Sequence, residues 1–356
     1  MSIAFNRALH PLGTHRVVDP AGALPQNALK IDNTPVAMEN EILCDVEALS
    51  IDRASFDQMS RACGGDPAGI ARAIAVTVQE RGKLHNAVTG SGGVFIGRVL
   101  KVGEQLRGRM DLNAGERIAS LVSLTLTPLF IESVTAVDTR TAQVKIRGKA
   151  ILFESALWAK LPRDITDEAA LAAFEVAGVP AQVQRLSKPG MTVVVIGAGG
   201  TPGMLACAQA KRAVGADGKV IALAADIEAE SMRILRRAGV VDAVVKADAR
   251  DPLCTSRRVS TLAPQLADLV VNCVSVADTE PASVLCAKDE GTVCFFSMAT
   301  SFAAAALGAE GAAKDVTMII GSAYAKDLGD TALDALREYP DVLRYFIRKY
   351  SQEGSN

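Results

Sequence analysis

The chain has 356 residues, enough for two domains that each bury a core. Hydrophobic residues make up 49% and charged residues 22%, the balance of an ordinary globular protein. A net charge of −2, scattered basic residues and only one Trp and four Tyr argue against nucleic acid and acidic membranes as partners.

The opening "MSIAFNRALHPLG" lacks the apolar core of a signal peptide. No apolar run reaches the roughly 18 residues of a membrane span; the Ala-rich "SFAAAALGAEGAA" is broken by Glu310. Seven cysteines without a C-x-x-C pair read as free thiols, so the expected location is a reducing cytoplasm. Strand-like pieces follow: "EILCDVEALSID", "VFIGRVLKVG", "ERIASLVSLT" and "RTAQVKIRGKAILFES", punctuated by Gly and Pro. Residues 1–165 are therefore expected to form a β-rich domain, with a helix inserted around "GIARAIAVTVQERG". The segment 155–190, including the helical "DEAALAAFEVAG", bridges to a second domain.

From Gly190 the rhythm changes. Runs that are apolar throughout, "TVVVIG", "KVIALAAD", "DAVVKAD", "DLVVNCVS", "GTVCFFSM" and "DVTMIIGSAY", alternate with helical segments such as "EAESMRILRRAG". Strands buried on both faces and separated by helices imply a parallel sheet. The expected fold class is α/β: the β-rich domain, then a Rossmann-type doubly wound parallel six-stranded sheet over 166–325. The C-terminal segment 326–356 is expected to pack back on the first domain.

The first of these strands runs into "GAGGTPG", where G-x-G-x-x-G fails at Pro202. Read in steps of three, the glycines are Gly197, Gly200 and Gly203. Gly197 suits a tight turn, Gly200 lets a pyrophosphate approach the backbone, and Gly203 lets helix and turn pack closely. Thr201 is expected as N-cap with Pro202 at the first helical position, which needs no N–H donor. The helix N-terminus then faces the phosphates. Asp226, ending the second strand, fits the carboxylate that accepts from the adenosine ribose, and no Lys or Arg follows it at once. NAD is the expected cofactor, with NADP as the alternative. Val274, Ser275, Ser297 and Met298 follow the fourth and fifth strands and are expected to border the nicotinamide.

A β-rich domain ahead of this unit resembles the medium-chain dehydrogenase/reductase superfamily, which implies a chaperonin-10-like first domain. Within "GSGGVFIGRVLKVG", Gly93 and Val94 stand where zinc-dependent members carry the His and Glu of G-H-E-x-x-G-x-V, and Asp52 takes the place of the first zinc-ligand Cys. No four-cysteine loop is present and His10, His15 and His85 have no cysteine near them in sequence, so no metal is expected. The glycine spacing resembles the zinc-free, quinone-reductase-like branch. Five blocks narrow the resemblance: "GTHRVVDPAGALPQ", "ERGKLHNAVTGSGG", "GKAILFES", "FFSMATSF" and "ALGAEGAAKDVTMIIG" look like the L-erythro-3,5-diaminohexanoate dehydrogenase family. The likeness runs over roughly residues 13–340.

What this resemblance implies is oxidative deamination of the 3-amino group of a diamino acid in lysine fermentation, without zinc. An iminium is electrophilic without a Lewis acid. Such a site needs acceptors for two ammonium groups, a cation for the carboxylate, and a base. Asp52, Glu154, Glu175 and His85 are the expected catalytic candidates. Arg16, Arg81, Thr89 and Ser91 are the expected substrate contacts. Each has a plainer role open to it: a helix cap for Asp52, a salt-bridged hinge for Glu154, a structural loop imidazole for His85. A zinc-free quinone or enone reductase, a dehydrogenase of a related β-amino acid and a non-catalytic dinucleotide-binding protein remain alternatives. The apolar last strand would form a sheet edge, and a homodimer or homotetramer is expected through it.

Overall fold

The computed structural model describes residues 9–86, 90, 92–297, 299–320, 324–325 and 327–351. It divides into two compact units, residues 1–175 and 176–356. The first unit thus runs ten residues past the boundary expected at 165 and closes on the bridging helix rather than before it.

The first unit begins with a small antiparallel pair, β1 (Val17–Asp19) and β2 (Lys30–Ile31). A six-stranded antiparallel sheet follows. Its strands are β3 (Glu41–Ser50), β4 (Val94–Val102), β5 (Arg117–Ser120), β6 (Leu129–Asp138), β7 (Gln143–Phe153) and β8 (Trp158–Lys160), in the order β6-β7-β3-β4-β5-β8. Inward residues of the central strands, such as Ile42, Leu49, Phe95, Val144 and Leu152, join one core with Phe56, Ile70 and Ile74. Those last three come from α1 (Arg53–Ala62) and α2 (Pro67–Arg81), the helices inserted between β3 and β4.

Local chemistry fixes these helices. Asp66 accepts from Ala68 and Gly69 N–H at the start of α2, Pro67 opens it, and Gly82 ends it at φ +73°. The helix α3 (Asp167–Glu175) completes the unit. Among the expected β pieces β6 was absent, because half of its residues face solvent and its pattern is not apolar. It is an edge strand.

The second unit holds six parallel strands: β9 (Thr192–Ile196), β10 (Lys219–Ala224), β11 (Ala243–Lys246), β12 (Ala267–Asn272), β13 (Ala287–Phe295) and β14 (Val316–Ile320). Their order, β11-β10-β9-β12-β13-β14, is the doubly wound arrangement read from the apolar runs. Val193, Val194 and Val195 in the central strand have no exposed surface, as strands covered on both faces should. The helices are α4 (Gly178–Leu186), α5 (Thr201–Val214), α6 (Glu230–Arg237), α7 (Pro252–Leu262), α8 (Glu280–Cys286), α9 (Phe302–Gly311), α10 (Leu328–Glu338) and α11 (Pro340–Tyr350).

The C-terminal helices do not do what was expected of them. α10 packs against α4 and α5, and α11 against α6, so this segment belongs to the second unit. The reason is burial: Leu328, Leu333, Leu336, Val342 and Phe346 form an apolar face with almost no exposed surface.

Candidate active site

The strand–turn–helix over β9 and α5 has the geometry of a phosphate-binding turn. Gly197 sits at φ +83°, a conformation that favours glycine. A Cβ on Gly203 would lie 2.2 Å from the Gly197 carbonyl oxygen, so only glycine lets the helix approach the turn this closely. A Cβ on Gly200 would meet nothing nearer than 3.6 Å, which leaves room at the mouth of the helix. No side chain caps this N-terminus, so its N–H groups suit an anion.

One detail is corrected. Gly200, not Thr201, is the N-cap, and Thr201 is already the first helical residue with Pro202 after it. The Thr201 hydroxyl is engaged elsewhere, 2.5 Å from the Tyr350 hydroxyl and 3.2 Å from Lys349 Nζ, which donates to it.

Beside the turn lies a cavity of about 240 Å³ at the carboxyl ends of the strands, lined among others by Gly197, Ala224, Ala225, Asp248, Val274 and Thr279. Its size and its place on the sheet fit the adenosine half of a dinucleotide. Asp226 directly follows Ala224 and Ala225, which line this cavity, without being one of the lining residues itself. It is exposed, and its Oδ1 accepts from Glu228 N–H at 2.9 Å, closing a local turn. Arg250 does line the cavity, and Asp248 grips it with Nε at 3.0 Å and a terminal nitrogen at 2.7 Å.

The loops after β12 and β13 carry the other cofactor candidates. Val274 borders the cavity, Ser275 is exposed, and Ser297 is buried with its Oγ accepting from Ala299 N–H at 3.1 Å. Met298 lies outside the described residues. A polar network that sequence reading did not find sits here. Asn272 donates to Thr279 and Ser283, 2.9 Å each, and the Glu280 carboxylate, 2% exposed, accepts from Ser301 N–H at 2.7 Å.

In the first unit two of the expected carboxyls come together. Asp52 caps α1, its Oδ1 accepting from Ser55 N–H at 2.9 Å, so the plainer role is real. It remains half-buried and acts electrostatically on Glu175, the last residue of α3. Burial, and then the Asp52 charge, push the Glu175 carboxyl up to about 8. Glu175 keeps part of its surface accessible, yet protein crowds the carboxyl densely, and that crowding desolvates it. The site therefore sets Asp52 beside a carboxyl that is mostly protonated at neutral pH.

Gly93, at φ +94°, brings the chain against β3 so closely that a Cβ would lie 1.9 Å from the Ser50 carbonyl oxygen. A side chain has no place there. Among the described residues no three His, Cys, Asp or Glu side chains gather as a metal site would require.

Near the end of α2, Lys83 is fully buried and donates to the Pro25 and Gln26 carbonyls at 2.5 and 3.2 Å. Burial, then Arg81, push its pKa down to about 8. Burial and the charges of Lys83 and Arg81 lower the pKa of His85, whose Nδ1 is buried without a partner among the described residues. A neutral imidazole follows. Arg81 is half-buried in the last turn of α2. Thr89 and Ser91 lie outside the described residues.

The other two expectations are overturned. Arg16 is 1% exposed and places all five of its N–H groups: two on Glu41, the others on the carbonyls of Asp32, Thr34 and Val36. It has no donor left for a substrate. Burial alone would raise the Glu41 pKa, but the hydrogen bonds from Arg16 and His15 bring it down to about 2. Glu154 pairs with Arg109 at 2.7 Å, the salt-bridged role rather than that of a free base.

A family model described as the L-erythro-3,5-diaminohexanoate dehydrogenase N-terminal domain matches residues 15–162. An L-erythro-3,5-diaminohexanoate dehydrogenase of Acetoanaerobium sticklandii is 48% identical over 345 residues, covering 95% of this chain and 98% of its own. One from Fusobacterium nucleatum is 46% identical over 339 residues, with 95% and 98% covered. Among solved structures, the CurK enoyl reductase aligns at TM-score 0.54 and 16% identity, over 91% of this chain and 82% of that one. A mycobacterial quinone oxidoreductase aligns at TM-score 0.54 and 18% identity, over 91% and 86%. The structural matches carry the two-domain reductase fold.

Proposed function

The chain belongs to the L-erythro-3,5-diaminohexanoate dehydrogenase family, and we propose that it oxidatively deaminates L-erythro-3,5-diaminohexanoate to 5-amino-3-oxohexanoate and ammonia. The observation that carries this reading to the level of residues is the Asp52–Glu175 pair. The substrate brings two ammonium groups, and two carboxyls held in one electrostatic field are their natural counterpart.

The bound nicotinamide supplies the hydride acceptor; this chain's residues prepare the substrate. C3 releases a hydride only once its ammonium has lost a proton, so a carboxylate must take that proton first. Asp52 and Glu175 divide the work of seating the ammonium groups and accepting the proton. Seating an ammonium group beside it lowers the Glu175 pKa toward the carboxylate form, so the proton that Glu175 carries leaves as the substrate enters. After hydride transfer, water adds to the iminium carbon, ammonia leaves, and the ketone remains. His85, held neutral, is a second acceptor for a proton of that water. Arg81 is the cation for the substrate carboxylate.

In the second unit the glycine turn holds the pyrophosphate and the 240 Å³ cavity the adenosine. NAD is favoured over NADP by the state of Arg250: its charge is taken up by Asp248, so a 2′-phosphate would find no open cation there.

A homodimer or homotetramer through the β14 edge is supported by exposed apolar residues on that strand and on α9, the helix before it in the chain. Ile320 is 39% exposed, and Phe302 and Leu307 on α9 are 75% and 65% exposed. Light scattering that gives only a monomer at micromolar concentration would remove this part. All seven cysteines are free thiols, which supports a reducing, cytoplasmic setting. No helix among the described residues is long and apolar enough to cross a membrane.

The decisive assay gives the purified protein the diamine with NAD, and separately a quinone with NADPH. NADH formed in step with ammonia supports the deamination. Quinone-dependent NADPH oxidation without ammonia release would replace it with a reductase.

A further inference from the structure

The C-terminal helix α11 ends beside the glycine turn, within the same unit. Its residues Val342, Phe346 and Tyr350 are buried, and Arg348 pairs with Glu230, the first residue of α6. These contacts bring the last turn of α11 to the N-terminus of α5. There Lys349 Nζ donates to the Thr201 hydroxyl at 3.2 Å, and the Tyr350 hydroxyl lies 2.5 Å from the same oxygen. The ammonium also lies over two rings, 5.7 Å from the Tyr345 centroid and 5.2 Å from that of Tyr350.

Thr201 is the first residue of α5, so this places a cation against a helix N-terminus. That end of a helix carries a partial positive charge; it normally draws acids, while cations gather at the other end. The first turn of α5 holds no acid and no side chain caps it, yet Lys349 is held there half-buried. Two positive centres side by side repel, and an anion that touches both turns the repulsion into attraction. The glycine turn "GAGGTPG" has no charged side chain of its own. Gly200, its exposed N-cap, leaves the space that an anion needs.

We infer that Lys349 is a cofactor-binding residue: α11 brings its ammonium to the mouth of α5, where it pairs with the pyrophosphate that the glycine turn cradles. The inference rests on the dinucleotide-dependent reading above and adds the full charge that the turn lacks. Thr201 and the two tyrosine rings fix where the ammonium sits. The docking of α11 on the second unit thereby gains a task in cofactor binding.

The test is calorimetric binding of NAD, NADP and ADP-ribose, with adenosine read as a competitor of ADP-ribose. NAD and ADP-ribose share the pyrophosphate, and adenosine has no phosphate. Lys349→Met keeps the apolar stem and removes the charge. It should weaken NAD and ADP-ribose about tenfold or more, the usual range for a charged hydrogen bond, and adenosine less than about twofold. The gap from wild type should narrow in high salt, and Lys349→Arg should bind NAD within about threefold of wild type. If Lys349→Met does not fold, Lys349→Gln is read in its place. Equal weakening of adenosine and the dinucleotides, or no change in any ligand, overturns the assignment. A loss confined to NADP gives the ammonium to a 2′-phosphate and overturns it too. Binding needs no diamine, so a wild type that binds NAD without releasing ammonia sinks the reaction and leaves Lys349 standing. A wild type that binds no dinucleotide sinks both.

Discussion

Glu41 and Glu175 are the same residue type in the same unit, and the protein drives them in opposite directions. Glu41 has no exposed surface, yet Arg16 and His15 hold its pKa near 2. Glu175 is less covered by area, yet burial and the Asp52 charge push it up to about 8. Burial opposes ionisation in both, so partners decide the outcome. An acid whose neighbours are cations and N–H donors is part of the framework. An acid whose neighbour is another acid is held ready for a cation that arrives later.

The comparison can be broken in four ways. The largest effect belongs to catalysis: Asp52→Asn and Glu175→Gln should each lower diamine turnover by about a hundred- to ten-thousandfold. NAD affinity measured by calorimetry should stay within about twofold. Equal losses in turnover and cofactor affinity would show the pair to be structural. Next comes the framework. Arg16→Met leaves Glu41 buried without its main partner and should cost about 3–5 kcal/mol in urea unfolding, with turnover of the folded enzyme nearly unchanged. A Michaelis constant for the diamine raised by orders of magnitude would restore Arg16 as a substrate contact.

The third test reads the opposite shifts as opposite pH slopes. Glu175 has a folded pKa raised above its ordinary 4.5, so the folded state binds the extra proton between about pH 4.5 and 8. Its contribution is fully present below 4.5 and is lost as pH rises to about 8. Glu175→Gln should therefore gain roughly 2–4 kcal/mol on wild type at pH 9, a gain that fades toward pH 4.5. Glu41 has the reverse sign: its contribution is present above pH 4.5 and is lost as pH falls toward 2. Denaturant midpoints over a pH series read both slopes, and parallel slopes would end the contrast. The smallest effect is at an exposed acid with a purely local task. Asp66→Ala removes the cap of α2 and should cost about 1 kcal/mol in the same unfolding assay.

What the chain discloses in one dimension follows the same division. The six strands of the second unit were legible because each is an apolar run between turn residues, and doubly covered strands must look like that. β6 was not, since an edge strand facing solvent loses that pattern. The glycine turn was legible to within one residue, because its constraints are local: Gly203 against Gly197 is a contact within a single turn. Long-range partners were illegible. Nothing near Arg16 in sequence announces that Glu41 will take its charge. Glu280 gave no signal at all, because its burial arises only when α8 and the turn after β13 meet. Asp52 and Glu175 were each visible as candidates through the resemblance to known dehydrogenases, but their mutual influence was not.

Gly93 has a consequence for the history of this fold. Its left-handed backbone and the 1.9 Å that would separate a Cβ from the Ser50 carbonyl mean that no single substitution can install a side chain there. An imidazole at this position would have to wait until the Ser50–Val94 pairing of β3 and β4 had opened. The contact acts as a ratchet: a lineage that has passed it returns to a ligand at residue 93 only by rebuilding the sheet.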